Sequence, residues 1–414
     1  MPQLSIIIPA YNNSKYLSEC VCSATTQKYE DIEIFIVDDA STDDTPFVAE
    51  HLASNDSRVH VIHHATNSGT LASRKTGVMA SHGRYVMLMD QDDELVADAL
   101  TPLMQFAQQH AADIYHFGVE VQAANDSAQQ AANGMASFLT PTPRTLHGEK
   151  ILQCQFSQTE GFDWHVHHKM YSGDFARHAY SLASNQRLVL SDDLYMSFIL
   201  DSTASTYIAI PDSPWYIYHL GRGDTLGHEL TPEASETMAQ RDAQALSMLR
   251  EFVSQNHKAT PRSDWHERLA DVQNRLIEHT MNEWKDNLPD DAKARTLPRI
   301  LEWWQADAIC GELYRYVRDY AYAYLVNPDH ESQKALQDKE EATAYLHMAH
   351  SIENGHDLPQ DSRNNHYLEL RKIAYTHLRD SGLVTDIQPT GPVKRHSFQT
   401  LFKHLFKHLD KPYQ

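Results

Sequence analysis

Four short apolar runs rich in β-branched residues, each breaking into a polar or acidic loop, limit most strongly how this chain can fold. They are Leu4 to Ile8, which breaks at Pro9, then Ile32 to Val37, Val59 to Ile62 and Tyr85 to Met89. Helix-like segments lie between them at about Lys15 to Gln27, Thr45 to Ser54 and Gly69 to Ser81. A strand that is apolar on both faces needs cover on both, so this βαβα rhythm predicts a mostly parallel sheet flanked by helices. In such sheets ligands bind outside the carboxyl ends of the strands. Pro9-Ala10-Tyr11-Asn12, Asp38-Asp39 and Asp90-Gln91-Asp92-Asp93 all fall at those ends, so three polar loops converge on one crevice.

The acidic loop carries the chemistry. Carboxylates crowded together repel one another unless a cation or hydrogen-bond donors offset the charge. Hard oxygen ligands suit Mg²⁺ or Mn²⁺ escorting a phosphate. The competing reading is a strand-to-helix turn in which Asp93 or Glu94 caps a helix starting near Ala97. No GxGxxG follows the first strand and no GxxxxGK[ST] occurs. Phosphates would therefore be held by metal and side chains, the logic of enzymes that use nucleotide-diphosphate sugars.

Five blocks carry a family resemblance. They are Ser5-Ile6-Ile7-Ile8-Pro9-Ala10-Tyr11-Asn12; Ile36-Val37-Asp38-Asp39-Ala40-Ser41-Thr42-Asp43-Asp44-Thr45; Asn67-Ser68-Gly69 with Arg74; Gly83-Arg84-Tyr85-Val86; and the Asp-x-Asp-Asp cluster. In this order over roughly the first 105 residues they resemble the family 2 glycosyltransferases of the GT-A fold. The resemblance implies an inverting, metal-dependent hexosyltransferase with a Rossmann-like, mostly parallel α/β sheet. It further implies donor contacts from Pro9, Tyr11, Asn12, Asn67, Gly69, Arg74, Asp90 and Gln91, with Asp39 binding the base, typically uracil. Mn²⁺ or Mg²⁺ would sit on Asp92, Asp90 and Asp93.

Later blocks extend it. Leu190-Ser191-Asp192-Asp193 resembles the family's Glu-Asp pair before a helix, with Asp192 in place of the usual Glu. It makes Asp193 the expected base for the attacking hydroxyl, with Asp192 beside it. Helix capping by Ser191 or Asp192 is the structural alternative. Trp164-His165-Val166-His167-His168-Lys169-Met170-Tyr171 matches a strand beside the acceptor pocket, so Trp164, His167 and Lys169 are expected either to touch the acceptor or to pack. His165 and His167 could share a strand face, but no third ligand is spaced for zinc. The aromatic strand Trp215 to Leu220 and Arg222 resemble a segment closing over the diphosphate. Arg222 is the expected partner of the leaving nucleotide, and His219 is either a third metal ligand or a packed edge histidine.

At 414 residues the chain exceeds one nucleotide-sugar domain. The expected division is a nucleotide-sugar half over 1–105, an acceptor half over 106–230, a helical domain over 231–390 and a basic amphipathic helix over 391–414. Gly118 to Pro143, rich in Ala, Gln, Asn, Ser and Thr, reads as an excursion outside the core. Beyond Pro232, Met238–Gln255, Asp264–Asp286, Ala292–Leu325, Glu331–His350 and Asn364–Ser381 read as amphipathic helices. In the last segment Phe398, Leu401, Phe402, Leu405, Phe406 and Leu409 recur at helical spacing among lysines and histidines. Such a helix lies either on an anionic membrane surface or on an acidic protein face.

A net charge of −21 argues against general nucleic-acid binding. No apolar run reaches about 18 residues, and no basic-apolar leader opens the chain. Four cysteines without zinc spacing suit a reduced, cytoplasmic compartment, at or near the inner membrane face. The expected partners are a UDP-sugar donor and a glycan or lipid-linked acceptor, with a homo-oligomer also compatible. The product would be a bacterial surface polysaccharide, lipooligosaccharide or capsule. Two readings from other classes stand beside this one: a non-catalytic sugar-nucleotide or glycan-binding protein, and a scaffold that recruits other transferases.

Overall fold

The structure, a computed structural model, describes residues 1–188, 191–223, 231–260, 262–359 and 366–384, without the side chains of residues 127 and 294. The expected basic helix over 391–414 lies outside the described residues. The chain divides into two units that alternate in sequence: Met1–His228 with Gln244–Val272, and Glu229–Ala243 with Gln273–Gln414.

The first unit begins as a regular βα alternation: β1 (Leu4–Ala10), α1 (Ser14–Thr25), β2 (Ile32–Asp38), α2 (Thr45–Asn55), β3 (Val59–His63), α3 (Thr70–Ala80) and β4 (Tyr85–Leu88). There follow β5 (Glu94–Leu95), α4 (Leu100–Gln109), β6 (Ile114–Ala123), α5 (Asp126–Leu139), β7 (Thr145–His147), α6 (Glu149–Gln155), β8 (Phe156–Ser157) and β9 (Gly161–Phe162). Then come β10 (Lys169–Ser172), α7 (Gly173–Leu182), α8 (Asp192–Thr203) and β11 (Thr206–Leu220).

Among the described residues the main sheet runs β3-β2-β1-β4-β10-β6-β11-β5, with β7 pairing on β11. The strands β1 to β4 pair in parallel, and so do β6 and β11. Between these blocks β10 is antiparallel to both neighbours. Every residue of β1 and β2 is buried, as two-face cover requires. The helix α3 approaches β1 closely at Gly77, where any Cβ would run into the Ile7 side chain. Parallel pairing brings the carboxyl ends of β1, β2 and β4 to one edge.

Gly118 to Pro143 is not an excursion. It completes β6 and forms α5, whose first turn is capped by the Asn125 side chain accepting from Ala128 N–H. Ala128, Ala132 and Leu220 pack there as a small cluster. Alanines at helical spacing present a flat apolar strip that composition alone disguises as linker.

The second unit takes part of α9 (Pro232–Asn256) and of α10 (Trp265–Asn287), then α11 (Asp290–Trp303), α12 (Ala306–Val326), α13 (Gln333–Gly355) and α14 (His366–Asp380). The expected single helix over Ala292–Leu325 is two, because Trp304 and Gln305 both adopt extended backbone. Trp284 is fully buried, its indole N–H donating to Thr296 Oγ1 at 3.0 Å, and Trp304 is buried while Trp303 is exposed. No helix among the described residues is long and apolar enough to cross a membrane.

Candidate active site

The loops after β1, β2 and β4 meet the start of α8 and the end of β11 around a cavity of about 290 Å³. Its lining includes Pro9, Tyr11, Asp39, Arg74, Asp90, Gln91, Asp92, Asp93, Asp192, Asp193, Tyr218 and His219. Backbone geometry is unusual there: Asn12, Ala40 and Ser191 all hold left-handed φ values of 46°, 60° and 56°. Non-glycine residues in that region cluster where a site over-determines the backbone.

Asp39 is held rigidly. Its Oδ1 accepts from His64 Nδ1–H at 2.7 Å and Ser68 N–H at 2.9 Å, and its Oδ2 accepts from Gly69 N–H at 2.7 Å. His64 is steadied in turn by Thr76 Oγ1 at 2.9 Å. A carboxylate oxygen accepts two donors, so Oδ2 keeps one direction for a further N–H. The Gly69 φ of 88° turns that amide inward at the start of α3.

Arg74 is the centre of the acidic half. Its Nη2 donates to Asp90 Oδ1 at 2.7 Å, and its Nη1 reaches Asp192 Oδ2 at 3.2 Å and Asp193 Oδ1 in a short contact. Burial pushes the Asp90 carboxyl up, but the charge and hydrogen bond of Arg74 chiefly reverse this and leave it below its ordinary range. Burial and the neighbouring Asp193 charge raise Asp192 to about 7, against the pull of Arg74. Asp193 enters the cavity from the first turn of α8, where the helix N-terminus favours negative charge. Ser191 occupies the cap position, yet its side chain does not cap α8.

The four expected metal ligands do not form one cluster. Asp93 faces β11, where its oxygens accept from Tyr216 O–H at 2.8 Å and His219 N–H at 2.8 Å. Burial and the charges of Asp90 and Asp92 lift its carboxyl well above the usual range. His219 Nε2 meets Glu94 Oε1 at 2.7 Å. Among the described residues no three of His, Cys, Asp and Glu are grouped so as to hold a metal by themselves. All four border the cavity, but with Asp93 and His219 committed to these partners, Asp90 and Asp92 are the donor set that suits Mg²⁺ or Mn²⁺.

Other expected contacts lie outside the lining. Asn12 Oδ1 accepts from Thr42 N–H at 2.8 Å, tying the first two loops together, and Asn67 accepts from Arg187. Arg222 turns to Glu19 at 3.0 Å and stacks over the Tyr16 ring. Lys169 is buried, donating to Asp163 at 3.1 Å and to the His165 carbonyl at 2.6 Å, as a desolvated ammonium requires. His167 is buried and stacked on Tyr216 and Tyr218, and Trp164 packs among Phe138, Phe162 and His165. The segment 163–168 is not a strand, so His165 and His167 share no strand face.

Asp163 is not legible in the sequence, and Tyr216 and Tyr218 stand there only as part of the aromatic strand. Asp163 is the anion that Lys169 and His116 share. Its one signal was proximity to a histidine-rich run that lacked a counter-charge.

Residues 5–165 match the family profile described as Glycosyl transferase family 2. That segment is similar to glycosyl transferase family 2. Glycosyltransferase GlyG of Streptococcus pneumoniae is 26% identical over 218 residues, covering 47% of this chain and 69% of that protein. The uncharacterized glycosyltransferase EpsJ of Bacillus subtilis is 31% identical over 171 residues, 41% of this chain and 48% of its own. The GalNAc(5)-diNAcBac-PP-undecaprenol beta-1,3-glucosyltransferase of Campylobacter jejuni is 34% identical over 116 residues, 28% of this chain and 38% of its own. This chain thus spans half or less of the last two. The solved structure of Staphylococcus aureus TarS 1–349 in complex with UDP superposes with a TM-score of 0.51 at 17% identity, covering 88% of this chain and 95% of that one. That likeness is one of fold: a GT-A-type α/β domain followed by further structure.

Proposed function

We propose that this chain is an inverting family 2 glycosyltransferase that moves a sugar from a UDP-sugar to a hydroxyl of a glycan or lipid-linked acceptor in bacterial polysaccharide synthesis. One observation carries the reading: the fixed acceptor Asp39, the acid loop Asp90–Asp93 and the pair Asp192–Asp193 all line a single cavity. The open direction on Asp39 Oδ2 suits the ring N–H of uracil, and the half-exposed Tyr11 ring flanks it. The name of the Campylobacter relative specifies a lipid-linked acceptor, which supports that acceptor class.

In the proposed reaction Asp193, with Asp192 beside it, takes the proton of the acceptor hydroxyl. The acceptor oxygen forms its bond to the anomeric carbon from the face opposite the diphosphate. The bond from that carbon to the diphosphate oxygen breaks, its electron pair leaves with UDP, and a single displacement inverts the configuration. Asp92 and Asp90 would hold a divalent cation, whose chemistry there would be neutralisation of the leaving charge.

Release of UDP from a panel of UDP-sugars, with and without Mn²⁺, tests the proposal. We expect turnover with one sugar, dependent on Mn²⁺ and lost in Asp92→Ala. Tight UDP binding with no turnover across sugars and acceptors would instead make the protein a sugar-nucleotide binder.

A further inference from the structure

Arg74 holds a position a substrate ligand would not need. It stands on α3 with 4% of its surface exposed, although it borders the cavity. Both terminal nitrogens are committed to carboxylates of this chain, Nη2 to Asp90 and Nη1 to Asp192 and Asp193. The remaining nitrogen, Nε, is buried and has no hydrogen-bond partner.

The three carboxylates come from distant parts of the chain. Asp90 follows β4, while Asp192 and Asp193 open α8, more than a hundred residues later. Side by side and without a cation, three acids would repel and splay apart. A guanidinium is the side chain suited to join them: it keeps its charge when buried and presents several N–H donors in a rigid fork.

We propose that Arg74 is a positioning residue, not a donor ligand, and that it locks the acidic pair of α8 to the acid loop after β4 so that both act on one bound molecule. The proposal rests on the transferase reading for its kinetic consequence and on the ion-pair geometry alone for its structural one. It departs from the donor contact that the family resemblance implies for this arginine. With the lock open, nucleotide still binds through Asp39 and Tyr11, while the base is no longer aligned with the anomeric carbon. Misplacement of a catalytic group by about 1 Å can cost ~100-fold in rate.

Two measurements on the full chain test this. In the first, Arg74→Ala and Arg74→Lys are compared for kcat and for UDP affinity by calorimetry. We expect kcat to fall ~100-fold or more in Arg74→Ala, with UDP affinity within about threefold of wild type and Arg74→Lys recovering part of the rate. A loss of UDP affinity matching the loss of rate would make Arg74 a donor ligand and overturn the proposal.

The second measurement needs no activity. Arg74→Ala should lower Tm by leaving three acids without their cation, and adding Asp193→Asn should restore part of that loss. If Asp193→Asn lowers Tm by the same amount with and without Arg74, the lock does not exist. Should the wild type release UDP from no sugar nucleotide, the transferase reading fails, and the Tm comparison still decides the role of Arg74.

Discussion

The side-chain amide of Gln91 pairs with the backbone of Tyr11 in both directions. Its Oε1 accepts from Tyr11 N–H at 2.9 Å and its Nε2 donates to the Tyr11 carbonyl at 3.2 Å. The middle residue of the acid loop thereby extends the edge of the Tyr11 loop, as a neighbouring strand would. It ties the Tyr11 loop to the acid loop and so fixes the distance from the proposed nucleobase platform to the carboxylates that would meet the diphosphate.

Replacing Gln91 with Ala removes both bonds and frees the loop. Each is partly solvated and worth ~1 kcal/mol, so the donor KM should rise roughly three- to tenfold. Steady-state kinetics should find kcat within about twofold of wild type. An unchanged KM would mean that the loop is held by other contacts.

Asp193→Asn keeps the side-chain shape and removes the proton acceptor. We expect UDP to bind as before, while transfer falls by ~10²–10⁴, the usual contribution of a positioned base. Full transfer by this variant would reassign the base, with Asp192 next in place.

Asp39→Ala leaves His64, Ser68 and Gly69 with unanswered N–H groups. Hydrogen bonds to a buried carboxylate are worth ~1.5–3 kcal/mol each, so urea denaturation should show a loss of at least ~2 kcal/mol, along with weakened UDP binding. A variant as stable as wild type would show that the loop relaxes and rehydrates at little cost.

Burial pushes His116 down from 6.5 to about 4, with the partial opposition of Asp163. The unfolded chain then takes up this proton at higher pH than the native one does. Stability from the neutral His116 is therefore complete above about pH 6.5 and is lost as pH falls toward 4. The loss is ~2 kcal/mol by about pH 5. Asp192 and Asp201, both raised to about 7 chiefly by burial, titrate with the opposite sign. The quantity to measure is thus the wild-type minus His116→Asn difference in unfolding free energy, which should shrink between neutral pH and about pH 5. A constant difference would mean that His116 is solvated or already charged.

Local pattern determined a good deal. Runs apolar on both faces, such as Leu4–Ala10 and Ile32–Asp38, form buried strands, and in a parallel sheet their carboxyl ends gather at one edge. The loops bearing Tyr11, Asp39 and Asp90–Asp93 were legible for that reason, and the acidic pair of α8 was legible from its place at a helix start.

Pairing between distant segments was decided only in three dimensions. Nothing near Asp93 in the chain announces that Tyr216 and His219 will turn it into β11, and nothing near Lys169 names Asp163 as its counter-ion. Arg74 reads as a donor contact until α3, β4 and α8 pack together and leave one guanidinium among three carboxylates. Periodicity reports which face of an element is buried. Which charge meets which is set by long-range packing, because burying a charge is tolerated only where the tertiary fold brings it a partner.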